Sequence, residues 1–236
     1  MIYTHPGLHI EVAARNFAGF FALAFSALFP VINPLGSSLV FLGMVGDAPE
    51  KTFRSLARKI AINTALFLLA MDLVGAAVLN LFGISLPVVQ LAGGLVLAAM
   101  GWRLLNEKEE DDKENSPSPH LANHYDLQRK AFYPFTFPVT AGPGVLVVML
   151  TLSAHASKGT PLEAIVAHLG VLSGMVLMCV AVFISYAYAP KITAKISPAT
   201  AHGILRVIAF VLLCIGVQIA WNGLYALVSS ALAHPA

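Results

Sequence analysis

Charged residues are scarce in this chain of 236 residues: Asp, Glu, Lys and Arg together make up 11% of it. Soluble domains carry about 25% charged residues, so this sequence has too few charges to cover a water-facing surface. The shortage excludes a soluble enzyme, and it excludes a nucleic-acid-binding protein whose affinity comes from a basic face. The net charge of +2 does not by itself indicate a charged partner.

Cysteine is also rare. The two cysteines, Cys179 and Cys214, lie inside apolar runs and give no disulfide framework or Cys-x-x-Cys site. The alternating strands of a membrane β-barrel are absent, and residues 1–16 lack the apolar core of a cleavable signal peptide. Most of the chain is apolar: 58% of its residues are hydrophobic, and its mean hydropathy is +0.78. The sequence therefore predicts an all-α integral membrane protein.

Apolar stretches of the length that crosses a bilayer, about 20 residues each, occur six times: at 17–45, 60–82, 84–105, 131–154, 162–190 and 203–232. Twelve of the fourteen basic residues fall in the connections on one side of these six spans. By the positive-inside rule that side faces the cytoplasm, and both termini face away from it. We expect a multi-pass protein of the cell inner membrane.

A charged, apolar-poor segment at 106–130 separates residues 1–105 from residues 131–236. It predicts a cytoplasmic linker between two three-helix halves of one membrane domain. His120 and His124 lie within it four residues apart, but no third ligand follows at regular spacing. We therefore expect no metal site.

The two halves carry matching landmarks in the same order. Pro34 and Pro143 lie 109 residues apart, Ile84-Ser85 and Ile196-Ser197 lie 112 apart, and Gly101 and Gly216 lie 115 apart. Because three spans per half is an odd number, the second copy must enter the membrane from the opposite face. The sequence predicts two inverted three-helix repeats, an architecture of many secondary transporters.

Proline and glycine interrupt the first and fourth spans. Proline lacks an amide hydrogen and clashes with the preceding turn, and non-helical backbone at membrane depth is tolerated only where it is buried in protein or lines a wet cavity. We expect the two breaks to face inward and meet, although a packing kink is the competing interpretation for either one alone. The predicted substrate-binding residues are Asn33, Pro34, Gly36 and Ser37 in the first break and Thr140, Ala141, Gly142, Pro143 and Gly144 in the second.

Broken helices free peptide groups for binding. Amides at the start of a half-helix suit a carboxylate, and freed carbonyls suit an ammonium group or a sodium ion, so a small zwitterion matches both. The Asn33 amide can bind such a substrate or cap the half-helix. The amides expected to be free are those of Gly36, Ser37, Ser38, Gly144 and Val145.

Asp72 lies near the middle of the second span, where a carboxylate is costly unless it is paired or protonated. Coupling to H⁺ or Na⁺ is the functional hypothesis. The alternative is an Asp near the outer interface or hydrogen-bonded to a neighbouring helix. His155, His168 and His202 lie at or near span ends, and no Ser/His/Asp set is positioned to indicate a hydrolase. Gly93, Gly94 and Gly101 predict a helix-packing face.

Four sequence blocks resemble the MarC family of six-span bacterial and archaeal inner-membrane proteins. They are Asn33-Pro-Leu-Gly36, FGIS with LAGGLVL in residues 82–97, Pro138-Val-Thr-Ala-Gly-Pro-Gly144, and GVQIAWNG at 216–223. The resemblance covers nearly the whole chain. The better-understood branch of this family consists of small neutral amino-acid transporters, so the resemblance implies transport of substrates such as glycine and alanine. Tyr133-Pro-Phe-Thr-Phe-Pro138 is more aromatic than the usual family pattern and alters the expected pocket.

We therefore expect a secondary transporter, importing or exporting small neutral amino acids by alternating access, and not an enzyme. No ATP site or other cofactor is expected, so an ion gradient, of Na⁺ or H⁺, or the substrate's own gradient must drive it. The expected partners are a small zwitterion and membrane lipid. The alternatives are a non-transporting scaffold or regulator, an exporter of other small solutes, and an intramembrane enzyme, which needs a second catalytic group beside Asp72.

Overall fold

The structure is a computed structural model that describes residues 6–46, 48–106, 124–157, 159–195 and 198–233. Within these ranges all regular structure is helical. The helices are α1 (Pro6–Ile32), α2 (Pro34–Val45), α3 (Glu50–Leu81), α4 (Leu86–Asn106), α5 (His124–Arg129), an irregular π-helical segment (Ala131–Thr140), α6 (Pro143–Ala156), α7 (Pro161–Ala187), α8 (Ala189–Lys195) and α9 (Pro198–Ala233).

Four helical stretches in the described residues are long and apolar enough to cross a membrane. They are Val12–Val45, which joins α1 and α2, together with α4, α7 and Gly203–Leu232 of α9. Segment Ala131–Thr140 and α6 are bent by 68° against each other and make a fifth span if they are counted together. The all-helical membrane class is confirmed. Six spans stay a prediction, with α3, at 32 residues, as the remaining candidate.

The end of the bundle where α3 begins, here called the Glu50 end, is tied together by charged and polar contacts. Lys191 of α8 lies 2.6 Å from the Glu50 carboxylate and lowers the pKa of that exposed group by hydrogen bonding to it. Arg54 lies 5.3 Å above the ring of Tyr188. The Gln128 amide of α5 donates to the Ser55 hydroxyl at 3.0 Å, which attaches the end of the predicted linker to α3. His120 lies outside the described residues.

The opposite end, here called the Thr160 end, is where α6 ends and α7 begins. Gly159 adopts φ +98°, in the left-handed region, and the chain then turns into α7. A reciprocal capping box closes the turn, because the Thr160 amide donates to Glu163 at 2.8 Å and the Glu163 amide donates to the Thr160 hydroxyl.

Glycine allows the closest helix pair, α4 against α9. A Cβ on Gly94 would collide with the backbone of Gly216 and Ala220, and a Cβ on Gly101 would collide with the backbone of Ala209 and Leu213. The predicted small-residue packing face on the third span is thus confirmed for Gly94 and Gly101. Gly93 instead faces Val147 of α6. Beside this pair, α1 packs on α7, while α3 packs on both α6 and α7.

Candidate functional site

The first break consists of the single residue Asn33. Its backbone is left-handed, with φ 47° and ψ 66°, and it separates α1 from α2. Its side-chain oxygen accepts the Gly36 amide at 3.0 Å, and its carbonyl accepts the Ser37 amide at 2.8 Å. The expectation that these two amides are free is therefore wrong, because the break caps itself.

The sequence around Asn33 explains this geometry. Asn is one of the few residues that tolerate left-handed backbone, and proline is suited to the first position of the following helix, where no amide partner is needed. Gly36 leaves room for the capping side chain, because a Cβ there would collide with the Asn33 amide. Asn33, Pro34 and Gly36 thus form one structural unit.

The second break is larger. Tyr133 and Phe137 have extended backbone angles within segment Ala131–Thr140. Gly142 is also extended, with φ −82° and ψ −174°, before α6 begins at Pro143. The Val145 amide, expected to be free, lies 3.0 Å from the Gly142 carbonyl and is paired. The predicted interruption between residues 131 and 154 is present, as a 68° bend between two helical segments.

The two breaks meet at Tyr186, near the end of α7. Its hydroxyl lies 2.8 Å from the Thr140 hydroxyl of the second break, and the Ser37 side chain of the first break is its second hydrogen-bond neighbour. The Thr140 hydroxyl donates to the Phe135 carbonyl, and the Ser37 hydroxyl donates to the Ile32 carbonyl, each at 2.6 Å. We call Ser37, Thr140 and Tyr186 the hydroxyl junction.

The hydroxyl junction is closed in this conformation. Thr140 is 1% exposed and Tyr186 is fully buried. The ring of Phe41 stacks on Tyr186 at 4.7 Å, and Phe135 meets Phe41 edge-on at 5.1 Å. A solute that enters must displace hydrogen bonds within the junction, so it needs polar groups of its own.

The other predicted site residues lie around the junction. Pro34, Ala141, Gly142 and Gly144 are buried, Asn33 and Gly36 are half-buried, and Pro143 is exposed. A Cβ on Gly144 would press on Leu97 of α4 and Val31 of α1, so the two halves approach closely there. The sequence did not single out Tyr186, because a tyrosine in the last turn of an apolar span is typical of an interface anchor.

Asp72 belongs to a second cluster at the Thr160 end. Its carboxylate oxygen Oδ2 lies 3.1 Å from His168 Nδ1 of α7, and His168 Nε2 lies 3.1 Å from the Ser157 hydroxyl. The Ser153 hydroxyl of α6 donates to the Asp72 backbone carbonyl at 2.9 Å. The sequence did not predict that these Ser, His and Asp side chains come together, because nothing in their spacing indicates it.

The Asp72–His168–Ser157 connectivity is that of a hydrolytic triad. However, the Ser157 hydroxyl also lies 2.9 Å from the Ser153 carbonyl, which competes with His168 for its single hydrogen. A hydrolase also needs donors aimed at an oxyanion. Among the described residues no cluster of three or more His, Cys, Asp or Glu residues could hold a metal ion.

The two clusters are separate. His168 and Tyr186 lie on the same helix 18 residues apart, which corresponds to about 27 Å along its axis. Asp72 therefore does not contact the hydroxyl junction. Both clusters nevertheless use the same elements, since α7 carries His168 and Tyr186 while the α6 region runs from the second break to Ser157.

These features define a polytopic helical membrane protein with interrupted helices and two buried polar clusters. A model described as MarC family integral membrane protein matches residues 18–228, and the chain belongs to that family. The predicted resemblance is thereby confirmed.

Relatives occur in bacteria and archaea. The chain is 28% identical to the UPF0056 inner membrane protein MarC of Citrobacter koseri over 88% of this chain and 95% of that protein. It is 27% identical to the UPF0056 membrane protein MJ1677 of Methanocaldococcus jannaschii (87% and 96% covered) and to the UPF0056 membrane protein YvbG of Bacillus subtilis (87% and 94% covered). These names describe membrane proteins and state no enzyme activity. No solved structure matches the chain.

Proposed function

We propose that the chain is a secondary transporter of small neutral amino acids, such as glycine and alanine, working by alternating access. The observation that carries the proposal is the hydroxyl junction, where the interruption of the first span meets that of the fourth. Substrate sites of this transporter class are built where discontinuous helices of two repeats face each other.

The packing of the helices supports two inverted three-helix repeats, with α3 as the second of six spans. The third span packs on the sixth, the first on the fifth, and the second on both the fourth and the fifth. These four pairings are the most extensive in the described residues, and exchanging the two halves converts them into one another. A pseudo-two-fold axis between repeats would produce this relation.

The chemistry of the junction favours a small zwitterion. Helices α2 and α6 begin at the breaks, and the helix dipoles favour a carboxylate there, although the Gly36, Ser37 and Val145 amides are already paired within the protein. The hydroxyls of Ser37, Thr140 and Tyr186 can accept from an ammonium group, as can the Asn33 amide oxygen. The tight packing of Gly144 against Leu97 and Val31, beside the second break, favours a substrate with a small side chain. The substrate-binding residues in this proposal are Asn33, Pro34, Gly36, Ser37, Thr140, Ala141, Gly142, Pro143, Gly144 and Tyr186.

Counterflow in proteoliposomes tests the function. Vesicles loaded with unlabelled alanine or glycine should take up the radiolabelled amino acid transiently and saturably, and vesicles without protein should not. A panel of neutral, acidic and basic amino acids defines the class. If the folded, monodisperse protein shows neither uptake nor counterflow across the panel, the transporter proposal is wrong.

Two conservative variants test the junction. Thr140→Val keeps the side-chain shape and removes the hydroxyl between Tyr186 and Phe135, and Tyr186→Phe removes the shared hydroxyl. Each should weaken counterflow by roughly tenfold, since a lost buried hydrogen bond is worth about 1 to 2 kcal/mol. Tyr225→Phe, on an exposed side of α9, is the matched control. Equal counterflow in all three variants would remove the junction from the binding site.

A further inference from the structure

We propose that Asp72 and His168 form a proton-binding site and that H⁺ bound there is the coupling ion, an inference that rests on the transport function proposed above. The pair lies at the Thr160 end, away from the hydroxyl junction. It joins α3 to α7 directly, and Ser157 joins it to the end of α6.

The Asp72 carboxylate is placed where a charge is expensive. Its side chain is 2% exposed, and in the described part of the chain its oxygen Oδ1 is buried without a hydrogen-bond partner. With a neutral imidazole the pair leaves a net negative charge in the membrane protein's interior. One proton on His168 makes the pair neutral overall, which lowers the cost of burying the carboxylate.

The hydrogen bonds around His168 suit both protonation states. In the neutral state Nδ1–H donates to Asp72, and the Ser157 hydroxyl can donate to Nε2. When H⁺ adds to the Nε2 lone pair, Nε2–H donates to Ser157 Oγ, and the Ser157 hydroxyl turns to donate to the Ser153 carbonyl. Both acceptors already lie in range of Ser157 Oγ, at 3.1 Å and 2.9 Å. Proton binding thus requires only the rotation of one hydroxyl.

Other ionisable side chains described at this end are occupied or exposed. Glu163 of α7 accepts the Thr160 amide, His155 of α6 hydrogen-bonds the Thr151 carbonyl, and Arg15 of α1 is exposed. From α3 the ionisable group is Asp72 itself, and α6 contacts it through Ser153. His168 is therefore the described titratable side chain that faces Asp72.

The site lies near the surface of the bundle and is connected to the breaks. The His168 side chain is 26% exposed. A cavity of about 120 Å³ at the same end is lined mostly by apolar residues together with Asn80, Ser85 and Ser153, and the Ser153 hydroxyl donates to the Asp72 carbonyl. Because α6 and α7 extend from this site to the second break and to Tyr186, a change in their packing on α3 moves both clusters together.

Transport coupling tests the site in proteoliposomes. An imposed pH gradient should drive accumulation of alanine by the wild type, whereas a Na⁺ gradient should not. In Asp72→Asn and His168→Gln, the ratio of pH-driven accumulation to counterflow should fall by roughly tenfold or more. His155→Gln, on an exposed histidine at the same end, should keep the wild-type ratio. A wild-type ratio in both Asp72→Asn and His168→Gln, or accumulation driven by Na⁺ alone, overturns the proposal.

A second measurement does not depend on transport. Nitrogen-15 histidine NMR in nanodiscs, with His168 assigned through its loss in His168→Gln, should show Nε2 gaining a proton as the pH is lowered while Nδ1 keeps its hydrogen. Asp72→Asn should change the protonation of His168 and leave the His155 signals as in the wild type. If wild-type counterflow is absent, a titration sensitive to Asp72 still supports the proton site. If the protonation of His168 is the same in the wild type and in Asp72→Asn, the proposed proton site is wrong.

Discussion

At the scale of single residues, the first break is built from a few side chains with separate tasks. Asn33 supplies the left-handed backbone and the cap, Pro34 starts α2, and Gly36 makes room for the cap. The sequence identified these residues because Pro breaks a helix and a neighbouring Gly lets the backbone leave helical angles. It did not reveal that the break satisfies its own amides, since the capping bond depends on the rotamer of one side chain.

Replacing Asn33 should destabilise the protein measurably. Asn33→Ala removes the cap and puts alanine, which tolerates left-handed backbone less well than asparagine, at this position, so we expect a loss of about 2 kcal/mol. Asn33→Gly keeps the backbone freedom and loses only the cap, so its effect should be smaller. Chemical denaturation in detergent micelles measures both, with exposed Asn222→Ala as the control. A larger loss in Asn33→Gly than in Asn33→Ala would contradict this account.

At the scale of helices, apolar length predicts the elements well and their partners poorly. The third span was expected at 84–105 and is α4, Leu86–Asn106. Helix α3 begins at Glu50, ten residues before the apolar run. Its first turns carry charged residues, so the helix can extend beyond the membrane into water. Short α5 was missed within the charged linker.

The meeting of Asp72, His168 and Ser157 could not be predicted from spacing. Asp72 and His168 are 96 residues apart, and their contact depends on how α3 and α7 pack. The available signal was one ionisable residue in each of the two spans that the predicted repeat pairs with each other. His168 was not recognised as part of a buried pair because it lies near the end of its predicted span, where a histidine can face water. Tyr186 was missed for the same reason, since its burial follows from the packing of α7 against both breaks.

The α4–α9 pair offers a test at this scale. Gly94→Ala places a methyl group against the backbone of Gly216 and Ala220, which cannot move aside like a side chain, so the helices must separate. We expect a loss of about 1 to 3 kcal/mol, seen as a lower midpoint of thermal unfolding in micelles. Gly43→Ala, where a Cβ meets nothing within 4 Å, should leave the midpoint unchanged or raise it. Equal midpoints for the two variants would exclude a tight crossing at Gly94.

At the scale of the whole molecule, the charged side chains are distributed unevenly between the two ends of the helix bundle. The Glu50 end carries Lys51, Arg54, Lys191 and the short helix that closes the charged linker. The Thr160 end carries histidines, serines and one capping glutamate. A proton site at the Thr160 end and a basic surface at the Glu50 end are consistent with a transporter whose coupling ion arrives from outside the cell.

Orientation can be measured directly because the two ends differ in exposed positions. Lys51 lies at the Glu50 end, and Ser85 lies in the turn between α3 and α4 at the other end. In a background with Cys179 and Cys214 replaced by alanine, an impermeant maleimide applied to intact spheroplasts should label Ser85→Cys and leave Lys51→Cys unlabelled. The positive-inside rule requires this result, since the Glu50 end holds most of the basic residues. Permeabilised spheroplasts should label both variants. The opposite pattern would invert the protein and place Asp72 and His168 near the cytoplasm, where a proton would bind from inside.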